Sequence, residues 1–335
     1  MSRILKSTCG SFIARKSQIY TFLKYVQRFC SNYPQIVMLT LLFCFFSAIA
    51  GSWFLSPRNL INVVRQASLL YILAIGQTLV ILNRGIDLSI GGVLSVSSCV
   101  AGIYLKQKLP MIFGMAIAFG VGTFFGFLNG IIVSTIKLNP FIVTYSMMWI
   151  SKGIAYVIMK GNIIFGFSPL FRVLGAGHIL GIPTPIVVAG LVFFLFYFFL
   201  YHTRFGKALY GVGANPEAAR LMGINVTKVL VSSYTLSGVL ASLGGLLYIS
   251  RLNAAEPAIG ELFLLETIAA VIIGGTPFSG GEGGIGRTFI GVLIITIVIN
   301  GMNILGISSF LQDFVLGTII IGGTLINEYV RQLTY

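Results

Sequence analysis

The sequence predicts an all-α polytopic membrane protein of about ten transmembrane helices, in which spans two to five return, inverted, as spans seven to ten. Three observations predict it. Of the 335 residues, 56% are hydrophobic and only 9% charged, and the mean hydropathy is +0.96. A soluble core of that size would carry a far more charged surface. Apolar runs long enough to cross ~30 Å of hydrocarbon recur along the chain. Finally, Leu82-Asn83 returns as Leu252-Asn253 and Asn129-Gly130 as Asn300-Gly301, at offsets of 170 (252 − 82) and 171 (300 − 129). Nearly equal offsets without gaps point to one duplication.

Taken in order, residues 1–34 form a basic tail. Arg3, Lys6, Arg15, Lys16, Lys24 and Arg28 precede the first apolar run with no acid among them, which is the cytoplasmic excess expected of a multi-pass protein. The net charge of +14 therefore reads as membrane topology and not as nucleic-acid binding. Ile19, Phe22, Leu23, Val26 and Phe29 recur at helical spacing. The tail is either an amphipathic helix on the anionic inner leaflet or a frayed basic arm. The apolar run after it is too long for a signal-peptide core and has no small-residue cleavage site, so retention is expected. Cys9, Cys30, Cys44 and Cys99 form no CxxC pair, and neither a disulfide framework nor a metal site is indicated.

The expected spans are 35–53, 67–82, 91–104, 111–134, 141–159, 185–201, 229–250, 262–275, 287–304 and 310–327. An interfacial stretch with Arg58 and Arg65 is expected at 57–66, and a glycine-rich loop at 160–184. The eighth span is short and ends on glycine. A shift of five spans between the copies is odd, so the copies have opposite orientation, the arrangement that places a transport pathway at a repeat interface. With the tail inside, ten spans return the carboxy-terminal end (Glu328, Arg331) to the cytoplasm. Lys106, Lys108, Lys160 and Arg172 then fall outside, against the trend.

The segment 202–228 lies on the same side as the tail. It holds His202, Arg204, Lys207, Glu217, Arg220 and Lys228 between two apolar runs. Asn215 is a candidate N-cap, Pro216 suits the first helical position, Glu217 meets the helix dipole, and Gly223 can end the helix in the left-handed region. The reading is a short helix clear of the bilayer, against a plain hairpin.

Within the spans, Gly85-Ile86-Asp87-Leu88-Ser89-Ile90-Gly91-Gly92 is either a broken helix lining the pathway or a tight turn capped by Asp87 or Ser89. Lys152 and Glu266 are the clearest charges inside spans. They either pair across the repeats or face a water-filled vestibule. Asn83, Asn129, Asn139, Asn300, Asn303 and Gln77 are neutral donors and acceptors, suited to a hydroxyl-rich cargo or to bonds between helices. The stretch from Gly281 to Thr288 nearly matches a phosphate loop. No strand precedes it and Arg287 replaces the lysine, so a connector is expected. Asn225-Val226-Thr227 matches a glycosylation sequon but falls on the cytoplasmic side. With no nucleophile–base set, enzymatic chemistry is not expected.

GQTLVILNRGIDLSIGGVLSV, NPFIVT at 139–144, TRFGKALYGVGANPEAARLMGINV and AAVIIGGTPFSGGEGGIGRTFIGVLI together resemble the membrane permeases of bacterial sugar ABC importers, the ribose permease and its arabinose, xylose, galactose and autoinducer-2 relatives. The resemblance covers about 36–327. It implies one permease domain over 35–335, a second permease copy or similar paralogue, ATP-binding cassettes that use ATP and magnesium, and a periplasmic sugar-binding protein. No cofactor is implied for this chain itself. Glu217, Ala218, Ala219 and Gly223 match the family's coupling segment in a short form. The pathway residues expected are Asn83, Asp87, Ser89, Asn129, Lys152, Glu266 and Asn300. The alternative is a self-contained, ion-coupled carrier. The inverted repeat, Asp87 and Glu266 suit it, whereas the polar segment 202–228 counts against it.

Overall fold

A computed structural model describes residues 33–107 and 109–334, with side chains throughout except at 324 and 326–334. The basic tail with its expected amphipathic helix, Cys9 and Cys30 lies outside the described residues, as does Lys108.

The chain is a bundle of helices. In order they are α1 Pro34–Leu55, α2 Pro57–Leu82, α3 Ile90–Lys106, α4 Met111–Ile131, α5 Pro140–Met159, α6 Pro169–Ala176, α7 Thr184–His202, α8 Arg204–Ala214, α9 Pro216–Leu221, α10 Val226–Leu252, α11 Glu261–Ile273, α12 Ile285–Ile304 and α13 Ser309–Thr334. Seven of these are long and apolar enough to cross a membrane: α1, α2, α4 with its π-helical extension to Ile136, α5, α7, α10 and α12. Three of the expected spans fall short of that: α3 has 17 residues, α11 has 13, and the apolar part of α13 is Ser309–Gly323. Two-residue strand pairs join Ile164–Phe165 to Ala254–Ala255 and His178–Ile179 to Ile182–Pro183.

Most expected spans agree with helices within a few residues. The interfacial stretch at 57–66 is corrected: it is the first part of α2. Pro57 stands at the first helical position, Ser56 accepts from the Asn59 amide, and nothing between Pro57 and Leu82 breaks the helix. The loop 160–184 also contains α6, which is fixed to α10 because the Ser250 hydroxyl donates to Phe171 O and accepts from Gly175 N.

The repeat is visible in the packing. α2 and α10, equivalent helices, pack on each other antiparallel at the centre. α10 also packs on α3 and α4, as α2 does on α11 and α12. The equivalent helices α3 and α11 are short and start inside the bundle, where Gly91 and Gly260 meet. A Cβ on Gly260 would lie 1.8 Å from Gly91 O, and one on Gly91 2.4 Å from Gly260 O. Only glycine at both positions permits that approach. A second such contact joins Gly122 of α4 to Gly238 of α10, as expected where small residues set how closely helices approach in lipid.

Candidate coupling and translocation site

The loop that joins α2 to α3 runs through the protein and not over its surface. Asp87 is 1% exposed. Its Oδ1 accepts from the Ser89 amide and hydroxyl (3.0 and 2.6 Å), and its Oδ2 accepts from the Ser237 hydroxyl of α10 (2.7 Å). A buried carboxylate needs such donors, because an unpaired one is costly in this setting. Ser89 in turn accepts from Asn129 Nδ2 at 2.8 Å, and Asn83 Nδ2 donates to Ser233 Oγ of α10 at 2.5 Å. Three of the expected residues (Asp87, Ser89 and Asn129) thus meet in one enclosed network that ties the start of α3 to α4 and α10, and Asn83 bonds to α10 separately. Asn300 lies elsewhere: its amide exchanges two 3.0 Å hydrogen bonds with Asn59 at the start of α2.

At the far end of α2 the same loop meets the segment 202–228. Two helices occupy that segment. α8 is capped by Thr203, whose hydroxyl accepts from Gly206 N, and its glycines admit close packing: a Cβ on Gly213 would lie 1.8 Å from Leu82 O. α9 follows. Asn215 Oδ1 accepts from the Glu217 and Ala218 amides at 3.0 Å each, Pro216 holds the first position, and Gly223, at φ +82°, closes the helix while Ile224 N donates to Ala219 O. Glu217 is exposed and Ala218 half-buried, but Ala219 is fully buried against the bundle. The small side chain of Ala219 lets α9 sit close on its own scaffold. The outward tip carries Leu221 and Met222, 90% and 71% exposed.

Arg84 joins these two regions. Its Nε donates to Gly213 O at 2.5 Å and its Nη2 to Ala214 O, the last carbonyls of α8. The glycine-rich connector before α12 closes the junction, with Gly281 N donating to Leu82 O and Tyr210 OH to Gly283 O, both at 3.0 Å. Both repeats and the α8–α9 element thus meet at one point.

The family described as "Branched-chain amino acid transport system / permease component" matches residues 59–323. The chain is 38% identical to the ribose import permease protein of Escherichia coli (strain K12), over 88% of this chain and 92% of that one. It is 42% identical to the ribose import permease protein of Bacillus subtilis (strain 168), over 84% and 88%. It is 34% identical to the D-allose transport system permease protein of Escherichia coli (strain K12), over 91% and 94%. The chain belongs to the ribose-type family of sugar ABC permeases. No solved structure matches it.

In this permease Lys152 does not pair with Glu266. Its Nζ lies 2.6 Å from Glu261 Oε1 and 4.9 Å above the Trp149 ring. The correction has a simple cause: five residues along a helix turn about 140°, so Glu261 and Glu266 point to different sides of α11. The pair still crosses the repeats, from α5 to α11. Glu266 instead lines a cavity with Gln66, Tyr248, Arg251, Thr296 and Asn303. Sequence reasoning missed Arg84, Glu261 and Ser237. Arg84 had one signal: the second repeat holds Ala254 where the offset of 170 places its counterpart.

Proposed function

We propose that this permease is the membrane-spanning subunit of an ATP-driven importer of a neutral monosaccharide, a pentose such as ribose, in the bacterial inner membrane with both termini in the cytoplasm. The observation that carries the reading is α9, a helix capped at both ends that presents Leu221 and Met222 to water. Exposed apolar side chains on a rigid polar element mark a docking surface. Its partner is an ATP-binding cassette, which holds the ATP and magnesium. Glu217, Ala218, Leu221 and Met222 make the contact, Gly223 sets the angle of exit, and Ala219 seats the helix. Closure of the cassettes pushes α9 and α8, and Arg84 passes the displacement to the Asp87 network at the centre of the repeat.

A second copy of the chain covers the α5–α11 face. Glu261 is 52% exposed, and it starts α11 beside Gly91, inside the bundle. Lys152 lies about 18 Å along the ~30 Å of α5. A half-exposed ion pair at that depth is expensive against lipid and inexpensive beside water. This face then lines the sugar path, and a periplasmic binding protein delivers cargo at the end opposite α9. The hydroxyl-rich cargo follows from the relatives, whose names specify ribose and allose.

The test is affinity purification of the tagged chain from its native membrane. A cassette and a sugar-binding protein should co-purify, and Glu217→Lys and Gly223→Val should lower ATP-dependent uptake without loss of insertion. Uptake that survives ATP depletion and collapses with an ion-gradient uncoupler would replace this reading with the ion-coupled carrier.

A further inference from the structure

A cavity of about 290 Å³ lies between α2, α10, α11 and α12, apart from the α5–α11 face. Arg251 and Asn303 sit in the last turns of α10 and α12, at the end opposite α9. Thr296 lies about 10 Å further in, by helix rise. The lining combines a carboxylate (Glu266), a guanidinium (Arg251), two amides (Gln66 and Asn303) and the Tyr248 ring. Several of these groups are already oriented. Arg251 Nη2 donates to Asn62 Oδ1 at 3.2 Å, Asn303 Oδ1 accepts from Gln312 Nε2 at 2.9 Å, and Tyr248 meets Phe263 edge to face at 5.1 Å. Glu266 has no hydrogen-bond or ion-pair partner among the described residues.

The other repeat gives an internal control. At the offsets of 170 for α2 and α10 and 171 for α4 and α12, Gln66 corresponds to Leu236, Tyr248 to Thr78, Arg251 to Ile81, Thr296 to Phe125 and Asn303 to Ile132. The first copy holds mostly apolar residues at these positions. The shared fold therefore does not require a polar cavity here, and one copy has acquired it at the cost of placing charges in a membrane bundle.

We infer that this cavity is an outer subsite for a single monosaccharide within each copy of the chain. The inference rests on the import reading above. A carboxylate, a guanidinium and amides offer donors and acceptors to vicinal hydroxyls. The Tyr248 ring offers a face to the sugar's C–H surface. The volume is at the small end of ligand pockets, roughly 300–1,000 Å³, which suits one ring and excludes two.

The experiment uses the complete transporter, with its cassettes and binding protein, in proteoliposomes. Ribose uptake and binding-protein-stimulated ATP hydrolysis are measured together for the wild type, Glu266→Gln, and Thr296→Phe, which copies the other repeat. At least a tenfold fall in sugar moved per ATP is expected in both variants, with stimulated hydrolysis within twofold of wild type. Unchanged sugar per ATP in both would overturn the subsite, and so would parallel loss of hydrolysis and uptake, which marks a structural role. If the wild type itself transports without ATP or binding protein, the import reading fails instead, and the two failures are distinguishable.

Discussion

Replacing Arg84 by alanine tests whether the α8–α9 element drives the core through one side chain. The guanidinium makes two charge-assisted hydrogen bonds to the carbonyls that end α8. Bonds of that kind contribute about 1.5–3 kcal/mol each when shielded. Arg84 is exposed, with its Nε bond part-buried, so water replaces part of what is lost, and a net loss of about 1–2 kcal/mol for the pair is the better figure. That is a factor of roughly 5–30 in the equilibrium between linked and unlinked α8. Arg84 also sits at φ +62°, where a side chain is disfavoured by roughly 1–2 kcal/mol. Arg84→Gly removes the guanidinium and relieves the backbone together. Both variants should therefore uncouple sugar uptake from ATP hydrolysis by about 5–30-fold, while the glycine variant should unfold at a temperature no lower than the alanine variant. Arg84→Lys, with a point charge in place of the planar fork, should fall between wild type and alanine. The assay is uptake per ATP hydrolysed in proteoliposomes. Coupling within twofold of wild type in Arg84→Ala would refute the linkage.

Three further outcomes are expected. Asn215→Ala removes an acceptor shared by two amides of α9 and should weaken that helix by about 1 kcal/mol; amide exchange at Glu217 and Ala218 should rise several-fold with exchange in α10 unchanged. Ser237→Ala leaves one oxygen of buried Asp87 without its donor, at about 1–3 kcal/mol; the melting temperature of the detergent-solubilised protein should fall, and Asp87→Asn combined with Ser237→Ala should recover part of the loss. Gly260→Ala places a Cβ 1.8 Å from Gly91 O, so size-exclusion chromatography should show loss of the monodisperse species, whereas Gly190→Ala, with nothing within 4 Å of the added carbon, should behave as wild type.

The seven long apolar helices were legible because hydrocarbon thickness sets a minimum length and each of them meets it. The repeat was legible from two dipeptides, because a duplication keeps its spacing. α9 was legible because Asn, Pro and Gly stand where the backbone of a short helix needs them. Other features depend on packing that no local pattern encodes. α8 was hidden by its glycines, which weaken helix propensity in sequence but admit Leu82 O in space. The merging of 57–66 into α2 was masked by Arg58 and Arg65, which read as surface anchors but lie on a helix that continues past them. The partner of Lys152 depended on which face of α11 each acid occupies, which the span assignment left undetermined. Asp87 could be named as a buried charge in need of donors, yet one donor, Ser237, lies 150 residues away on the helix equivalent to α2.

The meeting of Gly91 and Gly260 bears on how such a chain arose. The two positions are 169 apart (260 − 91), within one or two residues of the duplication offset, so they descend from neighbouring or identical sites in a half-length ancestor. An ancestor that joined antiparallel with its own copy would have set the same glycine-bearing turn of each copy against the other. After fusion the two sites mutate independently, but each still confronts the other's carbonyl, so the constraint outlived the symmetry that imposed it.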